Sequence, residues 1–227
     1  MNLANIRAAI VDLDGTMVNT LGDFSAALNG MLQALQLPGI TPDRIQNLVG
    51  KGSEHLIISV LQHVLTEAGE ADVPATCKHL YPAAWAHYQE HYLAINGEFA
   101  EVYPGVVDGL RAMQAKGWVL ACLTNKPTAF ARPLLERKGL NVFFRHVFGG
   151  DAFERKKPDP LPLLKTCEAL GQLPANTLMV GDSSNDAQAA RAAGCPVVLV
   201  TYGYNHGEPI EAVDADRFVP SLAQLFV

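Results

Sequence analysis

Five short apolar runs constrain this chain more than any other feature: Ala8 to Leu13, Trp118 to Leu123, Val142 to Phe148, Thr177 to Val180 and Pro196 to Val200. Each has the length of a strand, ends in small or polar residues, and lacks the strict alternation of a strand with one wet face, which suits parallel strands buried on both sides. Helical patterns separate the later runs. Pro104-Gly105 opens a stretch in which Val106, Val107, Leu110 and Met113 share a face, with Gly117 as its stop. Further helices run from about Pro127 to Lys138, Asp159 to Leu170 and Asn185 to Ala193, and Gly139, Gly171 and Gly194 follow them as stops. From about residue 100 onward the pattern is that of a doubly wound, Rossmann-like α/β sheet.

The first run stands apart, because about 100 residues follow it without a second strand. Leu21, Phe24, Leu28, Met31, Leu32 and Leu35 recur at helical spacing, and Thr41-Pro42 starts a short helix. Ser53 is placed to cap a helix carrying Leu56, Ile57, Val60, Leu61 and Val64, and another helix spans roughly Ala75 to Ile95. The expected organisation is an α/β core of residues 1–16 and 98–227, with a helical insertion over 17–97. Placed after the first strand, that insertion overhangs the carboxyl ends of the strands, where open α/β sheets bind ligands. It is a candidate lid.

Composition narrows the partners. The chain has 227 residues, of which 49% are hydrophobic and 18% charged, so it can bury a full core without disulfide or metal staples. Its net charge is −6 and no long run of Lys or Arg occurs, which argues against nucleic acid and anionic membranes. No apolar stretch approaches the roughly 18 residues of a spanning helix. The start, Met1 to Arg7, lacks a basic region followed by an apolar one, so a cytoplasmic protein is expected. Cys77, Cys122, Cys167 and Cys195 form no C-x-x-C pair and read as reduced structural thiols.

The chemistry gathers where the apolar runs end. Asp12 and Asp14, in Val11-Asp12-Leu13-Asp14-Gly15-Thr16, put two carboxylates at the carboxyl end of a buried strand, where desolvation and like charge disfavour them. Asp182 and Asp186, in Gly181-Asp182-Ser183-Ser184-Asn185-Asp186, repeat the pattern before a helix that one of them can cap. If the two strand ends are adjacent, four carboxylates converge and call for a hard divalent cation; Mg²⁺ suits a cluster without Cys or His better than Zn²⁺. Thr124, Asn125 and Lys126 end the second run with a hydroxyl and an amide, and Lys156-Lys157-Pro158 follows the third.

In this order, Asp12-Leu-Asp14-Gly15-Thr16, Thr124-Asn125, Lys157-Pro158 and Gly181-Asp182-x-x-x-Asp186 resemble the four motifs of the haloacid dehalogenase-like (HAD) hydrolases, most of them metal-dependent phosphatases. The tail Thr201-Tyr202-Gly203-Tyr204-Asn205 resembles the phosphoglycolate phosphatase branch of that family. The resemblance implies Asp12 as nucleophile, Asp14 as general acid and base, and Gly15, Thr124, Asn125 and Lys157 around the phosphoryl group. It implies Mg²⁺ bound by Asp12, the Asp14 carbonyl and Asp182, with Asp186 supporting that shell. The implied substrate is a small phosphomonoester, 2-phosphoglycolate first, acted on by a monomer or homodimer.

Many relatives carry an acid where this chain has Asn19-Thr20, which bears on substrate details rather than on the chemistry. Lys51 and Ser53, in Gly50-Lys51-Gly52-Ser53, sit where related lids present a substrate-facing loop, although a solvated turn fits equally well. A dehalogenase and a phosphonoacetaldehyde hydrolase are disfavoured by Asp14. A β-phosphoglucomutase-like sugar-phosphate mutase keeps both acids and stays open. A non-catalytic phosphate-sensing domain needs neither the second acid nor the lid. His87-x-x-Glu90-His91 spells a zinc-peptidase pattern but lies in the presumed lid without an evident helical third ligand, and reads as an ordinary polar face.

Overall fold

The computed structural model describes residues 3–226 and is built on a six-stranded, all-parallel sheet. Its strands are β1 (Ala8–Val11), β4 (Val119–Leu123), β5 (His146–Phe148), β6 (Thr177–Gly181), β7 (Val197–Val200) and β8 (Arg217–Val219), in the order β5-β4-β1-β6-β7-β8. Two short strands, β2 (Val18–Asn19) and β3 (Glu101–Val102), pair antiparallel beside it. Between them lie the helices α1 (Leu21–Ala34), α2 (Pro42–Gln46), α3 (Ser53–Glu67) and α4 (Val73–Ile95); α5 (Val106–Ala115), α6 (Thr128–Arg137), α7 (Leu161–Leu170) and α8 (Ser184–Ala193) follow β3.

The pleat explains why the strands read as continuous apolar runs. Ala9 and Val11 of β1, Leu120 and Cys122 of β4, and Leu178 and Val180 of β6 face one hydrophobic layer. Their neighbours Ala8, Ile10, Ala121, Leu123 and Met179 face the other, which α7 and α8 cover. With both faces buried, either parity must be apolar. The chain winds from β1 outward through β4 to β5, then crosses back to β6 on the other side of β1. The strand order therefore reverses at β1 and β6, whose carboxyl ends form the crevice where open α/β sheets hold ligands.

Some elements differ from the sequence expectations. The third run shortens to His146–Phe148, because Asn141–Phe143 forms a 3-10 turn before it. Ser53 does not cap α3: Gly52, at φ +89°, holds the cap position without a side chain, and Ser53 is the first helical residue. Strands β2, β3 and β8 carry no apolar run long enough to register. Gly171 and Gly194 do end α7 and α8 in the left-handed conformation. No helix among the described residues is long and apolar enough to cross a membrane. His91 packs its ring against Gly30 of α1.

Helices α1 to α4 enclose a core of their own, with Leu28, Met31, Ile57 and Leu61 fully buried, and Phe130 and Tyr204 join it from the sheet side. Where the chain enters and leaves this helical unit, the fully buried Asp23 of α1 accepts hydrogen bonds from the backbone N–H groups of Gly97 (2.6 Å) and Phe99 (2.8 Å). One carboxylate thus satisfies two backbone donors on the returning segment. Asp23→Ala should lower stability to urea by about 3 kcal/mol, since both donors lose their partner. Asp23→Asn, which keeps one acceptor, should lose less. A loss of only a few tenths of a kcal/mol in Asp23→Ala would show that water replaces the carboxylate without cost.

Candidate active site

Each segment nominated at a strand end reaches the same edge of the sheet. Lys157 is the link between them. Only 4% exposed, its ammonium donates to the Leu123 carbonyl (2.9 Å) and to Asp186 Oδ1 (2.7 Å), and lies 3.1 Å from Asp12 Oδ1. A lysine has three N–H groups, and three acceptors from β4, α8 and β1 surround this one. Burial alone would lower its pKa, but Asp12 and Asp186 more than offset this and hold it above the ordinary lysine value. A cis peptide joins Lys157 to Pro158.

Asp186 accepts on its other oxygen from the Asp182 and Ser183 N–H groups (3.1 and 3.2 Å) and the Ser183 hydroxyl (3.1 Å), so the acid that starts α8 also shapes the loop presenting Asp182. Asp182 accepts from Thr16 Oγ1 (2.7 Å) and the Tyr204 N–H (2.6 Å). Gly15, at φ +80°, is required because a Cβ there would collide with the Asp182 carboxylate and the Tyr204 ring. Its immediate role is the close approach of the β1 and β6 loops.

The carboxylate oxygens of Asp12, Asp182 and Asp186 come within 4.8 Å of one another, which makes this the only such group of three or more metal-binding side chains among the described residues. Burial pushes Asp12 up to about 7 despite the opposing Lys157 charge, and Asp186 and Asp14 add to the rise. Burial, with Asp186 and Asp12, likewise raises Asp182 well above the usual carboxylate range. Three acids sharing one ammonium are short of positive charge, and Asp12 Oδ1 has no partner in hydrogen-bond geometry. An all-oxygen donor set of this kind fits a hard divalent cation.

A small cavity of about 30 Å³ opens beside Asp12 and Asp14, between the sheet edge and the inserted helices. Thr124 and Asn125 line it from the core, Ser53 from α3. The Asn125 side chain is already committed, donating to the Gly50 and Lys157 carbonyls (3.1 and 2.8 Å) and accepting from the Lys157 N–H (3.0 Å). It acts as a strut between loops. Lys51 is exposed and does not line the cavity; the lysine that does is Lys126, unassigned from sequence. Lys126, 4% exposed, pairs with Asp14 (3.0 Å), donates to the Tyr92 hydroxyl (2.6 Å), and lies 4.6 Å from the ring centres of Phe24 and Tyr92. Tyr204 was also missed as a site residue: its hydroxyl donates to Asn19 Oδ1 (2.6 Å) and accepts from the Thr20 N–H (3.0 Å). Asn19 thus anchors Tyr204 at the entrance to the insertion.

A model of the haloacid dehalogenase-like hydrolases matches residues 9–200. A phosphoglycolate phosphatase of Thiobacillus denitrificans is 44% identical over 222 residues, covering 96% of this chain and 93% of the relative. The Escherichia coli K12 protein of the same name is 38% identical over 232 residues, covering 97% and 91%. The crystal structure of a predicted phosphoglycolate phosphatase from Haemophilus somnus matches with a TM-score of 0.87 and 32% identity, covering 98% of this chain and 97% of that one.

Because the native pKa of Asp12 lies above the unfolded value of 3.8, the metal-free native state holds a proton that the unfolded chain has released. The contribution of Asp12 to stability therefore falls as pH rises between about 4 and 7. In EDTA, the stability of Asp12→Asn relative to wild type should increase from pH 5 to pH 8 by on the order of 2 kcal/mol in urea unfolding. A difference independent of pH would mean that Asp12 ionises like a free acid.

Proposed function

The chain belongs to the haloacid dehalogenase-like hydrolases, and on that premise we propose that it hydrolyses 2-phosphoglycolate to glycolate and phosphate through an aspartyl-phosphate on Asp12. The observation that carries this reading is the bond network around Lys157, which ties Asp12 to Asp186 and, through the Asp182 loop, draws three acids and one buried cation around one point. A phosphoryl group there meets a nucleophile and electrostatic stabilisation together, and positioning of that kind supplies most of the catalysis in phosphoryl transfer.

In the proposed reaction Asp12 attacks phosphorus while Lys157 offsets charge on Asp12 and on the phosphoryl oxygens. Asp14 protonates the departing alkoxide and then takes a proton from the water that cleaves the aspartyl-phosphate. Thr124, Asn125 and the turn at Gly15 hold the phosphoryl oxygens, Asn125 through its backbone, since its amide is engaged by Gly50 and Lys157. Asp12, Asp182 and the Asp14 carbonyl would hold Mg²⁺, with Asp186 behind them. Bound there, Mg²⁺ would keep Asp12 ionised and neutralise charge on the phosphoryl group.

Residues 17–97 are assigned the role of a cap that excludes water over the cavity. A cytoplasmic location is part of the reading, supported by four buried free cysteines.

Phosphate release from 2-phosphoglycolate should require a divalent cation and should fall at least a thousandfold in Asp12→Asn, with circular dichroism unchanged. Turnover undiminished by EDTA or by Asp12→Asn would overturn the assignment.

A further inference from the structure

Among the residues that line the cavity, the cation is Lys126. It leaves the core just after β4 yet is held by the insertion, through the Tyr92 hydroxyl of α4 and the ring face of Phe24 on α1. Its described acceptors are both Asp14 carboxylate oxygens (3.0 and 3.3 Å) and that hydroxyl (2.6 Å), so a further anion would be held by sharing the weaker of the two N–H bonds to Asp14 and by the charge itself. An almost fully buried lysine over two aromatic rings retains few waters, so an anion entering the cavity meets a desolvated charge.

The amino end of α3, a helix of 15 residues, also lines the cavity. Gly52 caps it without a side chain, and Leu56 N–H is the first donor to close back, onto the Gly52 carbonyl. The N–H groups of the first turn therefore have no partner within the helix, and Gly52 and Ser53 line the cavity there. Helix N–H groups and dipole, with a buried ammonium in the same cavity, make a site for an anion next to the acids of the sheet edge. Phe24, Val49 and Leu56 close the space between with apolar surface, which offers no hydrogen bonds to the hydroxyls of a sugar.

We propose that Lys126 and the amino end of α3 form a subsite for a second anionic group on the substrate, a carboxylate one carbon from the ester oxygen. The inference rests on the phosphatase reading and deepens it: Lys126 determines specificity for short phosphorylated acids, and the cap contributes through Tyr92, Phe24 and the α3 amino end. Lys51, exposed on the same loop, has no part in the subsite. Lys126 also shields the incoming carboxylate from Asp14, which it contacts on the other side.

The test compares kcat/KM for 2-phosphoglycolate with that for 2-hydroxyethyl phosphate, which replaces the carboxylate by a neutral group of similar size. Wild type should prefer the acid by about a hundredfold or more. Lys126→Met, which keeps the aliphatic stem against the rings, should reduce that preference at least tenfold, and Lys126→Arg should retain most of it. The ratio is the readout because Lys126 also touches Asp14, so absolute rates will move. A wild type active on both substrates without preference overturns the subsite, as does Lys126→Met losing both activities in equal proportion. A wild type inactive on every phosphomonoester overturns the phosphatase reading itself, and activity on 2-hydroxyethyl phosphate tells the two failures apart.

Discussion

The Lys157 ammonium holds this site together. Each of its contacts comes from a different element: Asp12 from the end of β1, the Leu123 carbonyl from β4, and Asp186 from the start of α8. A buried lysine with one carboxylate partner is a marginal arrangement, because desolvation can exceed the Coulombic gain. With two hydrogen bonds, to Asp186 and the Leu123 carbonyl, and the Asp12 carboxylate 3.1 Å away, its charge is offset on two sides and the strand ends are tied to one another. Removing Lys157 would leave Asp12 and Asp186 facing each other with no intervening cation. The Asp182 loop depends on the same link, since Asp186 orders the backbone of Asp182 and Ser183 with the oxygen that Lys157 does not use.

A second set of contacts joins the insertion to this frame. Asp23 closes the entry and exit segments of the helical unit. Tyr204, from the loop after β7, binds Asp182 through its N–H and Asn19 and Thr20 through its hydroxyl. A shift of the insertion is therefore felt at Asp182 through Tyr204 and at Asp14 through Lys126. Both sit at the carboxyl edge of the sheet and both are held by groups from, or at the base of, the helical unit. That coupling links the position of the insertion to the acids at the sheet edge.

Much of this was legible in the sequence because the signals were local. Five apolar runs, glycine stops and acids at strand ends require only periodicity and turn chemistry to read. Asp12, Asp14, Lys157, Asp182 and Asp186 stand at the ends of such runs, and their convergence follows from parallel strands sharing a carboxyl edge. Lys126 was not legible, because a lysine after a strand is ordinarily solvated, and its burial depends on Phe24 and Tyr92, which lie 102 and 34 positions away. Asp23 was hidden for a related reason: an acid in the first turn of a helix already has a local explanation in the helix dipole. The strands β2 and β3 are two residues each and pair only because the insertion brings its ends together. Glycines around Lys51 mark a loop near the cavity without fixing which side chain faces it, and Lys51 itself is exposed and outside the cavity lining.

The balance of charge at the site bears on how an anionic substrate approaches it. Asp12, Asp14, Asp182 and Asp186 face Lys126 and Lys157, so the formal charge of the ionised site is negative by two. Burial and mutual repulsion raise the pKa values of Asp12 and Asp182 accordingly. With all four acids ionised, a phosphorylated acid approaching that surface would meet net repulsion, within a chain whose overall charge is −6. A divalent cation held by the three-acid cluster would bring the formal charge to zero and keep Asp12 in the ionised form a nucleophile requires. Neutrality alone does not attract a substrate of two or three negative charges, so the remaining attraction must come from oriented donors: the Lys157 and Lys126 ammoniums and the N–H groups at the amino end of α3. A divalent cation bound there would therefore ease the approach of an anionic substrate, and selectivity among anions would pass to the groups not bound to it.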